Sequence, residues 1–188
     1  SGDYLLALKY HNESLRIKQS QGDKRGMSYS FMNLGEIYQK QGDYDRALES
    51  YLKAEEIDKK LSNLTNLADL YVSMGQLYRV MKNPIKSLEI LKEAEKIIKS
   101  IDNPRFMAAC LNQIGLTNFE LGKKNEAIDN CLLAIRQAQQ IGALDVVKQG
   151  YENLSKMYER TGRVSQAFES YKMFITFRDS VDNLEKSK

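Results

Sequence analysis

Asn33, Ser73, Gln113 and Asn153 stand forty residues apart, and each carries a polar group that both donates and accepts hydrogen bonds. A row of such groups on one surface can bond the N–H and C=O groups of an extended polypeptide. That is recognition chemistry. The residues for bond-making chemistry are missing from the sequence. The single histidine, His11, has no cysteine or serine partner with an orienting acid in any recognisable signature. There is no glycine-rich phosphate loop and no Cys-x-x-Cys. The pairs Glu55-Glu56 and Glu93/Glu95 lie among lysines and read as solvated helix faces with local ion pairs. This region is therefore expected to be non-catalytic, with no cofactor and no metal.

The charge pattern narrows the partners. Twenty-eight basic residues face 25 acidic ones, for a net charge of +3, and the two signs are interspersed. Lys92, Lys96 and Lys99 alternate with acids rather than forming a phosphate-binding stripe. Neither nucleic acid nor an anionic membrane is indicated. No apolar run approaches the roughly 20 residues that span a bilayer, and no basic, apolar leader opens the chain. Ser1-Gly2-Asp3 falls in mid-repeat, which reads as a fragment of a longer protein. Cys110 and Cys131 occupy registers that are apolar or small elsewhere, and read as buried thiols; a disulfide between them stays open.

The elements that must position the polar row are set by the same period. Glycine recurs at Gly2, Gly42, Gly122 and Gly162, and again at Gly35, Gly75 and Gly115. Ala7, Ala47, Ala127 and Ala167 share a register with Ser87, and Tyr38, Tyr78 and Tyr158 share another, broken by Asn118. A fixed step of this size means a stacked repeat protein. Each unit reads as two antiparallel helices. Phe31, Leu34, Ile37 and Tyr38 mark the apolar stripe of a leading helix over 27–41, and Ala47, Leu48, Tyr51, Ala54 and Ile57 that of a second helix over 44–61. Gly42 closes the first helix and Asp43 caps the second, while Asn83-Pro84 and Asn103-Pro104 open later helices.

Gly35, Gly75 and Gly115 sit inside helices, where glycine costs about 1 kcal/mol against alanine. Their persistence predicts a neighbouring helix passing too close for a side chain. The small residues at Ala47, Ser87, Ala127 and Ala167 fit the far side of that contact, and Ser155 takes the glycine position in the fourth unit.

Phe31, Leu34, Gly35, Tyr38, Ala47, Tyr51 and Ala54 resemble the motif of the tetratricopeptide repeat, and the later units repeat it with substitutions. The resemblance implies an all-α superhelix of four complete helix-turn-helix repeats plus a partial one at the N-terminus. The expected divisions are 1–26 (second helix only), 27–65, 66–104, 105–144, 145–182 and a charged connector over 183–188. The forty-residue length looks like the repeats of kinesin light chains and of peptide-binding bacterial regulators. Gly22-Asp23-Lys24-Arg25-Gly26 and Gly42-Asp43-Tyr44-Asp45-Arg46-Ala47-Leu48 look like tetratricopeptide regions of Bacteroidetes sensor histidine kinases and regulators. That likeness implies a sensory region upstream of an output domain, and favours the periplasmic side of an inner membrane. The rival is a free-standing adaptor for complex assembly.

In such repeats the leading helices line a concave groove that takes a protein or an extended peptide. The groove positions are then Tyr29, Met32, Asn33 and Glu36 in the first unit, and Asp69, Val72, Ser73, Gln76 and Arg79 in the second. The third gives Asn112, Gln113, Leu116 and Phe119, and the fourth Glu152, Asn153 and Lys156. Leu116 and Phe119 are candidate apolar anchors, with packing on a neighbouring unit as the other reading for Phe119. The carboxylate clamp of tetratricopeptide cochaperones is not expected, because Glu36, Gln76, Leu116 and Lys156 stand where it wants asparagine. Phe174, Phe177, Val181 and Leu184 step by three, four and three, which suggests an exit helix that makes a dimer contact or leads into an output domain.

Overall fold

The turns come twice as often as the glycine pattern implies. Left-handed backbone occurs at Gly22, Gly42, Ser62, Lys82, Asp102, Gly122, Gly142 and Gly162, one residue in every twenty. Each time, the next residue donates its N–H five positions back, as in Asp43 to Tyr38 at 2.9 Å and Arg163 to Tyr158 at 2.9 Å. That 6→1 bond satisfies a carbonyl orphaned at the helix end. At three of these positions the turn residue is serine, lysine or aspartate rather than glycine.

The computed structural model describes residues 2–186, with side-chain surroundings for 6–184. Ser1, Ser187 and Lys188 lie outside the described residues, as do the side chains of the expected connector from residue 185 onward. Among the described residues there are helices and no strands. They are α1 (Gly2–Gln21), α2 (Lys24–Gln41), α3 (Tyr44–Leu61), α4 (Leu64–Val80), α5 (Pro84–Ile101), α6 (Pro104–Glu120), α7 (Lys124–Gln140), α8 (Leu144–Arg160) and α9 (Val164–Lys186). The first leading helix starts before the expected Met27, because the Asp23 carboxylate accepts the N–H of Gly26 at 2.8 Å and caps it there. Asn83 and Asn103 cap α5 and α6 as their sequence suggests, accepting from Lys86 and Phe106 at 3.1 and 3.0 Å.

Two compact units divide the chain, Ser1–Ile97 and Ile98–Lys188, and the division falls inside α5. In the first unit Tyr51, Leu70, Leu77 and Leu91 are fully withdrawn from water. Each such side chain contributes about 2 kcal/mol of hydrophobic stabilisation. In the second, Ala127, Cys131, Val147, Leu154 and Met157 form the centre of a continuous core.

The mid-helix glycines mark close approach, but not chiefly to the small residues. A Cβ on Gly35 would run into the Tyr51 ring, and one on Gly75 would lie 2.5 Å from Leu91 Cγ. One on Gly115 would lie 2.6 Å from Cys131 Sγ and 3.0 Å from the carbonyl oxygen of Ala127. The large residue one turn beyond Ala47 or Ser87 therefore fills the space that glycine leaves. Ser87 acts differently, donating its hydroxyl to the Gly75 carbonyl at 2.7 Å. In the last hairpin the direction reverses, and Ser155 donates to Ala167 O at 3.1 Å.

Candidate functional site

In the first unit the expected groove residues come from α2 and α4. Tyr29, Asn33, Glu36 and Gln76 are exposed, while Asp69, Val72, Ser73 and Arg79 are half-buried. Met32 is buried at 4% exposure and packs in the core. The two acids interact. Desolvation pushes the Asp69 carboxyl above its ordinary range. Glu36 is also raised, by desolvation first and then by the charge of Asp69, with Lys40 and His11 opposing. Both acids help desolvation hold the Tyr51 phenol well above its usual range. That phenol donates to Gln39 Oε1 at 3.2 Å. His11 is half-buried on α1, near Glu36.

In the second unit the amides are more buried than a solvated groove would make them. Asn112 and Asn153 are 2% and 3% exposed. Asn112 donates to Val146 O at 3.2 Å, yet its Oδ1 has no hydrogen-bond partner and faces Gly150. Gln113 Oε1 and Asn153 Nδ2 are likewise buried without a partner. Gln149 donates to Asn153 Oδ1 at 3.3 Å and to Glu152 Oε2 at 3.2 Å. Glu152 is also paired with Lys156 at 2.5 Å. Leu116 and Phe119 are half-buried and pack against the unit's core.

Cys110 and Cys131 are buried thiols with no disulfide between them, and burial pushes the Cys131 thiol up to about 12. Such a thiol is inert at neutral pH. Glu55, Glu56 and Glu93 pair with Lys59, Lys60 and Lys96 at 2.7, 2.6 and 2.7 Å within their own helices. Among the described residues no group of acids, histidine and cysteines could hold a metal, and no helix is long and apolar enough to cross a membrane. On α9, Phe177 leaves the proposed seam to stack on Tyr151 at 5.7 Å, so that step belongs to the last hairpin.

Two features escaped the sequence. Asp58, Ser28 and Asn66 form a fully buried polar cluster in the first unit. Their registers hold Ala138, Ala108 and Val146 in the second unit, and that contrast was the available signal. Asn118, which interrupts the tyrosine register, is buried with an unpartnered Oδ1.

Antiparallel helical hairpins at a step of forty, with glycine where helices touch, define an all-α tetratricopeptide-type repeat fold. Residues 1–60 match the tetratricopeptide repeat family. The chain is 42% identical over 53 residues to the photosystem I assembly protein Ycf3 of Prochlorococcus marinus (strain NATL1A), a match covering 28% of this chain and 29% of that protein. It thus spans under a third of the curated relatives it matches. Among solved structures it is similar to a Rap protein complexed with competence and sporulation factor, with a TM-score of 0.85 at 16% identity over 94% of this chain and 49% of the other. BtubC from P. vanneervenii gives a TM-score of 0.75 at 20% identity, over 94% and 72% of the two chains. At these identities the likeness is one of fold. The resemblance to Bacteroidetes sensor kinases finds no counterpart among these relatives.

Proposed function

We propose that this chain is a non-catalytic module that captures an extended polypeptide on the leading helices α6 and α8 of its second unit, as the sensory or regulatory part of a bacterial signalling protein. The observation that carries the reading is the unmet hydrogen-bonding capacity of Gln113 Oε1 and Asn153 Nδ2. A buried polar atom left unpaired costs about 1–3 kcal/mol, so both side chains gain by turning outward to a ligand that satisfies them. A peptide backbone offers the complementary N–H and C=O. Gln149 is exposed and already places an amide against Asn153. It acts as a stand-in that a peptide amide displaces. The Rap structure similar in fold was solved with a bound factor, which supports the same use of the fold.

The test is capture from a random peptide display library, followed by titration of the selected peptide. Asn153→Ala and Gln113→Ala should each weaken binding roughly tenfold. Gln149→Ala, which removes the stand-in, should leave binding intact or tighten it. Selected peptides indifferent to Asn153→Ala and Gln113→Ala would exclude this surface.

A second reading, an adaptor for complex assembly, is favoured by the similarity to a photosystem I assembly protein. Both readings share the capture surface and differ in whether an output domain responds to it. Helix α9 leaves Phe168 and Tyr171 59% and 51% exposed, which supports a dimer contact or a junction with an output domain there.

A further inference from the structure

The first hairpin holds a cavity of about 280 Å³ between α2 and α3, with a floor of Phe31, Ile57 and Leu61 and a rim of Lys24, Lys53 and Lys60. None of these residues belongs to the leading-helix surface that carries the polar row. Phe31 and Ile57 are half-buried, and Leu61 is exposed. Lys53 stands with its ammonium 5.7 Å from the centre of the Phe31 ring and also pairs with Glu49 at 2.6 Å. Lys60 pairs with Glu56, the one acid on the lining, at 2.6 Å. The lining therefore carries an excess of positive charge over an apolar floor.

The other hairpins show what the fold itself requires here. At the register of Lys24 they carry Leu64, Pro104 and Leu144; at that of Lys53, Glu93, Leu133 and Met173; at that of Lys60, Ser100, Gln140 and Ser180. No basic residue recurs, so the three lysines are not a condition of hairpin packing. The floor differs as well. The last hairpin places Phe177 where the first has Ile57, and Phe177 stacks on Tyr151 at 5.7 Å with rings 11° from parallel. Tyr151 is the counterpart of Phe31. One hairpin thus fills this space with its own aromatic ring, and the other leaves it open beneath lysines.

We propose that the cavity binds an aromatic ring with a carboxylate beside it, the ring seated against Phe31 and Ile57 as Phe177 sits against Tyr151, and the carboxylate met by Lys24 and its neighbours. Offset ring stacking and charge-assisted hydrogen bonds supply the two halves of the recognition. An aromatic residue at a polypeptide C-terminus and one next to an internal acidic residue share this chemistry.

The experiment is an NMR titration of the whole chain with three probes: N-acetylphenylalanine, its neutral amide, and acetyl-glutamyl-phenylalanine amide. Saturable shifts at Lys24, Phe31, Ile57 and Leu61 are expected with at least one of the two carboxylate probes, and binding of the neutral amide should be roughly tenfold weaker. If both carboxylate probes bind, an internal acid suffices; if only N-acetylphenylalanine binds, the source is a chain terminus. Both results uphold the site. Ile57→Phe and Lys24→Leu install residues that this fold already uses at those registers, so both variants should fold, as checked by thermal melting. Ile57→Phe should abolish the response by filling the cavity, and Lys24→Leu should erase the preference for the carboxylate probes over the neutral amide. No saturable response to either carboxylate probe, or one unaltered by Ile57→Phe, overturns the proposal.

Discussion

The hydroxyl of Ser28 donates to the Oδ2 of Asp58 at 2.6 Å, joining α2 to α3 across thirty residues with both side chains fully buried. Asn66 on α4 donates to the same oxygen at 2.5 Å, and Asn63 reaches the other at 3.1 Å. One carboxylate therefore holds three successive helices and the turn between two of them. Three side-chain hydrogen bonds thus converge on this one buried carboxylate.

Removing that carboxylate should cost far more than removing the whole cluster. Asp58→Ala strands the buried Ser28 and Asn66 and frees the half-buried Asn63, and a destabilisation of about 3 kcal/mol is expected. The triple variant Ser28→Ala, Asp58→Ala, Asn66→Val copies the second unit, where Ala108, Ala138 and Val146 are buried at the same registers. It should recover most of the loss. Urea unfolding of the single and triple variants checks this; a triple variant no more stable than Asp58→Ala would mean that the cluster is not replaceable by packing.

The turns give an independent test. Ser62, Lys82 and Asp102 adopt φ values of 51°, 62° and 49°, where five sister turns use glycine. A side chain in left-handed backbone costs about 1–2 kcal/mol, and glycine gives back part of that through its own larger loss of chain entropy. Lys82→Gly should therefore stabilise the protein by about 0.5–1 kcal/mol, with Asp102→Gly gaining less because aspartate tolerates this region better. A thermal melt reads the difference, and a lower melting point for Lys82→Gly would show that its side chain contributes more than the backbone loses.

Element type and repeat step followed from the glycine and tyrosine registers, because the fold needs the same volumes at the same places. Gly75 illustrates the limit. Its closeness to another helix was legible, but the identity of the residue filling the gap, Leu91, depends on helix rotation that spacing alone does not give. The polar row was legible as types and spacing. The burial of Asn112 and Asn153 was not, because it arises from how α6, α7 and α8 pack together. The contact of Leu116 and Phe119 with the core has the same origin, since a residue off the consensus stripe can still reach the core if its side chain is long.

The pH dependence of the first unit should carry the signature of Asp69. Desolvation raises its folded pKa above the unfolded value, which lies near 3.8. Between those two values the folded state binds more protons than the unfolded one, so stability falls as pH rises through the window. The contribution is fully present below the unfolded pKa and is lost once pH exceeds the raised folded one. Glu36 behaves in the same sense, raised by desolvation first and further by the charge of Asp69. Asp69→Asn removes the charge while keeping the shape, so it should flatten the decline in stability above pH 4 and leave the protein more stable than the parent at pH 7. Chemical denaturation from pH 3 to 7 is the measurement. A decline as steep in Asp69→Asn as in the parent would place the burden of desolvation on other acids.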